Sequence, residues 1–205
     1  MVALQRLLKN KIRIINYNRK GRINMNSEVR KIAIESRNQI GKEERAIKEE
    51  SIFNQVINSE EYKNCDVVFV YVARTGEVDT TKIIENAIAT DKCVCVPKVI
   101  SDGYMEFYEI NSMSQLEVGY RDILEPDDNC VMRFPDEFDK PLFVCPMVAF
   151  DDDLNRVGSG KGFYDRYLAK YKNTTKLGVA YKCQKSDNIQ IGPYDIKMDK
   201  IIFED

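Results

Sequence analysis

The 205-residue chain has a net charge of −2 and is 43% apolar and 31% charged, the balance of a globular protein rather than a disordered one. No apolar run approaches the roughly 20 residues of a membrane span. Histidine is absent. That excludes Ser–His and Cys–His nucleophile chemistry and leaves carboxylates, Lys, Arg, Tyr and backbone N–H groups to carry any catalysis.

The charge is uneven. Residues 1–24 hold seven basic residues (Arg6, Lys9, Lys11, Arg13, Arg19, Lys20, Arg22) and no acid. Such a segment suits a nucleic-acid arm, a transit peptide, or an upstream extension without a folded role. It lacks the apolar block of a secretory signal. Met25 opens "MNSEVRKIAIESRNQIGKEER", which looks like a natural start. We therefore read 1–24 as an extension and 25–205 as one domain. The acidic remainder argues against a general nucleic-acid binder. Six cysteines (Cys65, Cys93, Cys95, Cys130, Cys145, Cys183) are scattered, several in apolar runs, as buried free thiols are. That pattern suits a reducing, cytoplasmic setting. Cys93-x-Cys95 has no second pair at ligand spacing, so we expect no zinc site.

Along the chain, Ser27 to Ser59 reads as helix, broken near Gly41 into a pair. "CDVVFVYVA" (Cys65 to Ala73) is a continuous β-branched run, a strand buried on both faces. "EVDTTKIIENAIAT" reads as loop then helix, with Asp79 or Thr80 placed to cap it. "KCVCVPKVI" is a second strand, stopping at Pro97. "GYMEFYEI" alternates as an edge strand does, and "PLFVCPMVAF" is a third buried strand. "GFYDRYLAKYK" is a helix, "KLGVAYK" a fourth strand and "MDKIIFED" a short last one. Strands alternating with helices predict an α/β domain of three layers, a mostly parallel sheet with helices on both faces. Ligands of such sheets sit beyond the carboxyl ends of the strands.

The densest chemistry lies in "RVGSGKGFYDRYL", Arg156 to Leu168. A buried strand ends at Phe150, an acidic turn follows, then Gly158-Ser159-Gly160-Lys161-Gly162, then a helix. Glycines allow a sharp turn and close approach to a ligand. The helix start offers unpaired N–H groups, and Arg156 and Lys161 add full charges. This is an anion site suited to phosphate; the bland alternative is a tight turn with a solvated lysine. No Ser or Thr follows Lys161, so it is not a Walker A loop, and G-x-G-x-G is not a Rossmann fingerprint. Asp165, one turn into the helix, suits either a magnesium ion or the helix N-terminus itself. Tyr164 and Tyr167 read as core.

"PMVAFDDDLNRVGSGKGFYDRYL" resembles the signature of the 5-formyltetrahydrofolate cyclo-ligase (methenyltetrahydrofolate synthetase) family, roughly P-G-x-x-F-D followed by R-L-G-x-G-K/G-G-Y/F-Y-D. "SEVRKIAIESRNQIGKEER", "YVARTGEVDTTKII", "GYRDILEP" and "YDIKMDKIIFED" resemble further family segments, in the right order over residues 25–205. The resemblance implies a NagB/RpiA/CoA transferase-like fold. It implies ATP- and Mg²⁺-dependent closure of 5-formyltetrahydrofolate to 5,10-methenyltetrahydrofolate, with ADP and phosphate released. Arg156, Val157, Gly158, Ser159, Gly160, Lys161, Gly162, Phe163 and Tyr164 would wrap the ATP phosphates, with Lys161 and Arg156 as the catalytic cations. Asn26 and Arg30 would reach the nucleotide. Asp165 and Asp195 would hold Mg²⁺. Val72, Glu77 and Phe163 would meet the folate. The partner implied is a small molecule met by a monomer, with no nucleic acid and no membrane. The chain departs from the family at Asn26, where the family has lysine, at Met147 for the glycine of P-G, at Asp122-Ile123 for G-I, and at Phe163 for the commoner tyrosine. A non-catalytic nucleotide or phosphate sensor on the same fold is the alternative reading.

Overall fold

The computed structural model describes residues 26–205, and the readings made of residues 1–24 lie outside them. The chain opens with helices α1 (Ser27–Asn38), α2 (Lys42–Asn58) and α3 (Glu60–Asn64), with Gly41 at the first break. Strand β1 (Val67–Val70), helix α4 (Thr81–Ala89), and strands β2 (Cys93–Ser101) and β3 (Tyr104–Ile110) follow. Next come the short strands β4 (Leu116–Val118), β5 (Leu124–Pro126) and β6 (Val131–Arg133), then β7 (Pro141–Pro146). A hairpin of β8 (Ala149–Phe150) and β9 (Arg156–Val157) leads into α5 (Phe163–Leu168), β10 (Thr175–Val179) and β11 (Lys200–Ile202).

Seven strands form one sheet in the order β11-β10-β7-β1-β2-β3-β6. The first five are parallel; β3 and β6 are added antiparallel. Strand alternation sorts the core into two layers. Val68 and Val70 of β1 pack with Ile52 and Val56 of α2 and Ile83, Ile84 and Ala87 of α4. Val67 and Phe69 point the other way, with Phe107, Phe143 and the α5 residues Tyr167 and Leu168. Phe69 stacks on its register partner Phe143, centroids 4.6 Å apart, and Phe107 sits edge-on to both. The three-layer α/β expectation is met. A third cluster joins Val29 and Ala33 of α1 to Val148, Ala149 and Val157, which seats the first helix on the β8–β9 hairpin.

Several elements differ from expectation for local reasons. Strand β2 runs through Pro97 to Ser101, because β1 partners it only as far as Cys95 and β3 carries the rest. Pro97 thus stands where one edge is free of a ladder. β3 is not the edge strand, since β6 pairs outside it. β1 is only four residues long. Tyr71 leaves the sheet, its carbonyl accepting the Thr80 hydroxyl at 2.6 Å and its phenol donating to the Val78 carbonyl at 2.8 Å. "PLFVCPMVAF" is not one strand: it leaves the sheet after Pro146 and re-forms as β8 against β9. Helix α5 stops at Leu168, and bonds from Lys170 to Tyr167 and Tyr171 to Leu168 tighten its end into a 3₁₀ turn. At α4, Asp79 Oδ1 accepts the Thr81 N–H at 2.9 Å, so Asp79 supplies the cap while Thr80 turns inward. Cys65, Cys95 and Cys145 are buried free thiols, but Cys93 and Cys130 are half-buried and Cys183 is exposed.

Candidate functional site

One cavity opens beyond the carboxyl ends of β1 and β7 and along the free edge of β2. Every site residue expected from sequence lines it, from Asn26 and Arg30 through Val72 and Glu77 to the loop Arg156–Asp165 and Asp195.

At one end lies the glycine loop. Gly160 (φ 93°) and Gly162 (φ 68°) hold left-handed backbone that side-chain-bearing residues rarely adopt, which is why the loop turns there. Arg156 and Val157, expected as loop, form β9 and anchor the turn to the core. Arg156 is buried. Its Nη2 donates to Asp165 Oδ1 at 2.9 Å, its guanidinium lies 5.5 Å from the Tyr164 ring centroid, and its buried Nε has no hydrogen-bond partner. An unsatisfied donor on a buried cation is costly, and a ligand oxygen would satisfy it. Arg30 reaches across from α1 and donates from Nε to the Gly158 carbonyl at 2.8 Å. Lys161 pairs with Asp102 at 3.2 Å. With only six residues, α5 contributes little macrodipole, so the positive charge at the turn comes mainly from side-chain cations.

Asp165 also accepts the Ile196 N–H at 3.3 Å, which brings the segment of Asp195 against it. Asp195 Oδ2 accepts the Gly192 N–H at 2.7 Å. Two carboxylates on one wall suit a hard cation that keeps waters and phosphate oxygens as its other ligands. Among the described residues no group of three or more Cys, Asp and Glu side chains forms a metal cage. Asn26, itself left-handed at φ 63°, gives its side-chain amide to the Gln190 backbone, donating at 2.8 Å and accepting at 2.8 Å.

At the other end Glu77 is buried and held by Arg74, which donates from Nη2 at 2.6 Å and from its backbone N–H at 3.1 Å. Burial costs the Arg74 guanidinium, but the Glu77 carboxylate outweighs that and raises its pKa. Behind this pair, Arg37 is buried with Nε and Nη1 unpartnered, and burial lowers its pKa despite the Glu77 charge nearby. The Tyr181 phenol donates to Glu49 at 2.5 Å and accepts from Arg45 at 2.8 Å, with its oxygen 3.3 Å from the Glu77 carbonyl. Phe163, directly after the glycine turn, lines the cavity and lies edge-on to Tyr120 at 6.4 Å. Tyr167 is core, as expected. Tyr164 packs against both core clusters and also lines the cavity, with its buried hydroxyl unpartnered and burial raising its pKa well above the usual phenol value.

Sequence reasoning missed Tyr71, Arg74, Pro97, Val99, Tyr120, Arg121 and Glu125, all of which line the cavity. Glu125 carried a signal, standing in the "GYRDILEP" segment; it is buried and accepts the Val99 N–H at 3.0 Å, tying β5 to β2. Tyr71, Arg74, Tyr120 and Arg121 likewise stand in the "YVARTGEVDTTKII" and "GYRDILEP" segments, whereas Pro97 and Val99 lie on a strand whose pairing the sequence does not announce.

Comparison with known proteins agrees with this architecture. A "Probable 5-formyltetrahydrofolate cyclo-ligase" of Schizosaccharomyces pombe is 34% identical over 74% of this chain and 79% of its own length. The 5-formyltetrahydrofolate cyclo-ligase of Escherichia coli is 30% identical over 66% of this chain and 76% of its own. Among solved structures, a 5,10-methenyltetrahydrofolate synthetase of Aquifex aeolicus superposes with a TM-score of 0.73 at 30% identity, covering 87% of this chain and 91% of that one. One from Mycoplasma pneumoniae gives 0.70 at 25% identity, covering 87% and 98%. The model of the 5-formyltetrahydrofolate cyclo-ligase family matches residues 22–204, and the chain belongs to that family.

Proposed function

We propose that the protein closes 5-formyltetrahydrofolate to 5,10-methenyltetrahydrofolate, consuming ATP and releasing ADP and phosphate. The observation that carries this reading is the meeting, in one cavity, of a glycine turn under three cations with a buried carboxylate at the far end. Glycine N–H groups, Arg156, Lys161 and Arg30 suit the ATP phosphates, and the unpaired Arg156 Nε is a donor awaiting an acceptor. Glu77 suits the N–H donors of a pterin ring, with Val72 and Phe163 offering apolar surface. Asp165 and Asp195 are oxygen donors fit for Mg²⁺, which supplies charge neutralisation to phosphoryl transfer when bound.

The chemistry needs no histidine. The formyl oxygen attacks the γ-phosphorus and ADP departs. N10 then attacks the formyl carbon, the C–O bond breaks, phosphate leaves, and the N10 proton goes to solvent or phosphate. Lys161 and Arg156 hold the phosphoryl oxygens in line and stabilise their charge, which is most of what such a transfer asks of a protein. Glu77 and Phe163 orient the folate so that its oxygen faces the phosphate.

The reading takes the enzyme as a cytoplasmic monomer whose partner is a folate, not a nucleic acid or a membrane. No described helix is long and apolar enough to cross a membrane. It takes residues 1–24 as dispensable, so their deletion leaves turnover unchanged; lost activity in that variant overturns the point. The main test incubates purified protein with ATP, Mg²⁺ and 5-formyltetrahydrofolate and follows the near-ultraviolet absorbance of the methenyl product. ATP-dependent product is expected. Nucleotide binding without product would instead indicate a sensing protein on the same fold.

A further inference from the structure

The glycine loop is gripped from outside by the turn between β2 and β3. Arg166, on α5, donates from Nε to the Gly103 carbonyl at 2.6 Å and from Nη2 to the Lys161 carbonyl. Its guanidinium lies 5.3 Å from the Tyr104 ring centroid. Gly103 has φ +82°, and a Cβ there would come within 2.9 Å of the Arg166 Cζ, so this turn leaves the space to the guanidinium. The preceding residue, Asp102, pairs with the Lys161 Nζ at 3.2 Å, with both side chains partly open to solvent. The two turn residues and the first residue of β3 therefore touch the loop or its helix. The same two strands line the cavity with Pro97, Val99 and Met105.

We infer that Arg166 and Asp102 are positioning residues for Lys161. Arg166 holds the Lys161 backbone to the β2–β3 turn, fixing the path of the loop. Asp102 holds the Lys161 ammonium when no phosphate is present and yields it to one. A guanidinium bridges two carbonyls with rigid, planar donors, which a lysine ammonium does not reproduce. The Asp102–Lys161 pair is exposed and therefore weak, so a multiply charged phosphate displaces the single carboxylate. This inference rests on the proposal that Lys161 meets ATP phosphates.

The test compares wild-type protein with Arg166→Met, Arg166→Lys and Asp102→Asn. ATP affinity in the presence of Mg²⁺ is measured by calorimetry, kcat and both KM values by product absorbance, and folding by melting temperature. Arg166→Met is expected to lower kcat/KM for ATP by about 10- to 100-fold, the scale of a small misplacement of catalytic groups, with the folate KM within about twofold. Arg166→Lys recovers little of that loss. Asp102→Asn tightens ATP binding by about two- to fivefold, the worth of one exposed charge pair. Wild-type ATP parameters in Arg166→Met, equal losses toward both substrates, or full rescue by lysine would overturn the role of Arg166. Should Arg166→Met fail to fold, Arg166→Lys and Asp102→Asn decide the matter. Unchanged or weaker ATP binding in Asp102→Asn overturns the role of Asp102. Wild-type protein that binds no ATP sinks this inference and the proposed function together, whereas ATP binding lost in Lys161→Ala but unmoved in these variants sinks the inference alone.

Discussion

The two ends of the cavity hold charge in opposite ways. At the glycine end, cations from three places face a backbone turn, and their carboxylate partners Asp165 and Asp102 sit to one side. At the Glu77 end a buried carboxylate is wrapped by Arg74 and backed by Arg37. In the first, cations outnumber the carboxylates beside them, which suits an incoming anion; in the second, one carboxylate is enclosed by guanidinium groups. The proposed division of labour between phosphate and folate rests on that contrast, and each prediction below asks whether the ends can be damaged separately.

The largest effect is expected at Arg156. Arg156→Met removes the cation of a buried ion pair and leaves Asp165 without that guanidinium, at a cost of about 3–5 kcal/mol in stability. Thermal denaturation checks this; a fall in melting temperature too small for that loss would show that water already reaches the pair. Lys161→Ala should spare the fold, since its pair with Asp102 is exposed. Its loss should fall on turnover, by about 100- to 1000-fold in kcat, the worth of one preorganised charge at a reacting oxygen. Near-normal turnover would move the phosphate elsewhere.

These glycine-end predictions rest on residues the sequence made plain. Gly158 to Asp165 is a contiguous stretch whose composition is itself the signal, and the buried runs around Phe69 and Phe143 were legible because a strand inside a parallel sheet is apolar on both faces. The rest was illegible for physical reasons. β4, β5, β8 and β9 are two or three residues long, too short for any period to emerge. Pro97 argues locally for a strand end, yet pairing with β3 carries β2 past it. Arg74, Glu125 and Arg166 stand in segments that carry the family resemblance, yet their own contacts emerge only when the fold brings them to the cavity or its loop.

At the other end, Glu77→Gln removes the anion but keeps the shape. It leaves the Arg74 guanidinium without its charge partner and weakens recognition of ligand N–H donors. A loss of about 1.5–3 kcal/mol, the value of a hydrogen bond to a charged group, corresponds to roughly 10- to 150-fold in kcat/KM for the folate. ATP affinity should stay at the wild-type value. If ATP binding weakened equally, the two ends would be one electrostatic unit rather than two.

The smallest effect is the most discriminating, because it acts on Glu77 without touching the cavity. The loop carrying Glu77 runs directly into α4, where Asp79 Oδ1 accepts the Thr81 N–H at 2.9 Å and Glu49 accepts the Asp79 N–H at 3.2 Å. Asp79→Ala removes the cap and should cost about 1 kcal/mol of stability. It should also loosen the loop between Tyr71 and α4, since the Thr80 hydroxyl bond to the Tyr71 carbonyl depends on the same turn. A rise of about two- to fivefold in the folate KM is expected from that loosening, with kcat and the ATP KM unchanged. Asp79→Asn and Asp79→Ser, which keep a capping oxygen, should restore most of both losses. Restored stability without a restored folate KM would mean that the Asp79 charge, not the helix start, sets the position of Glu77.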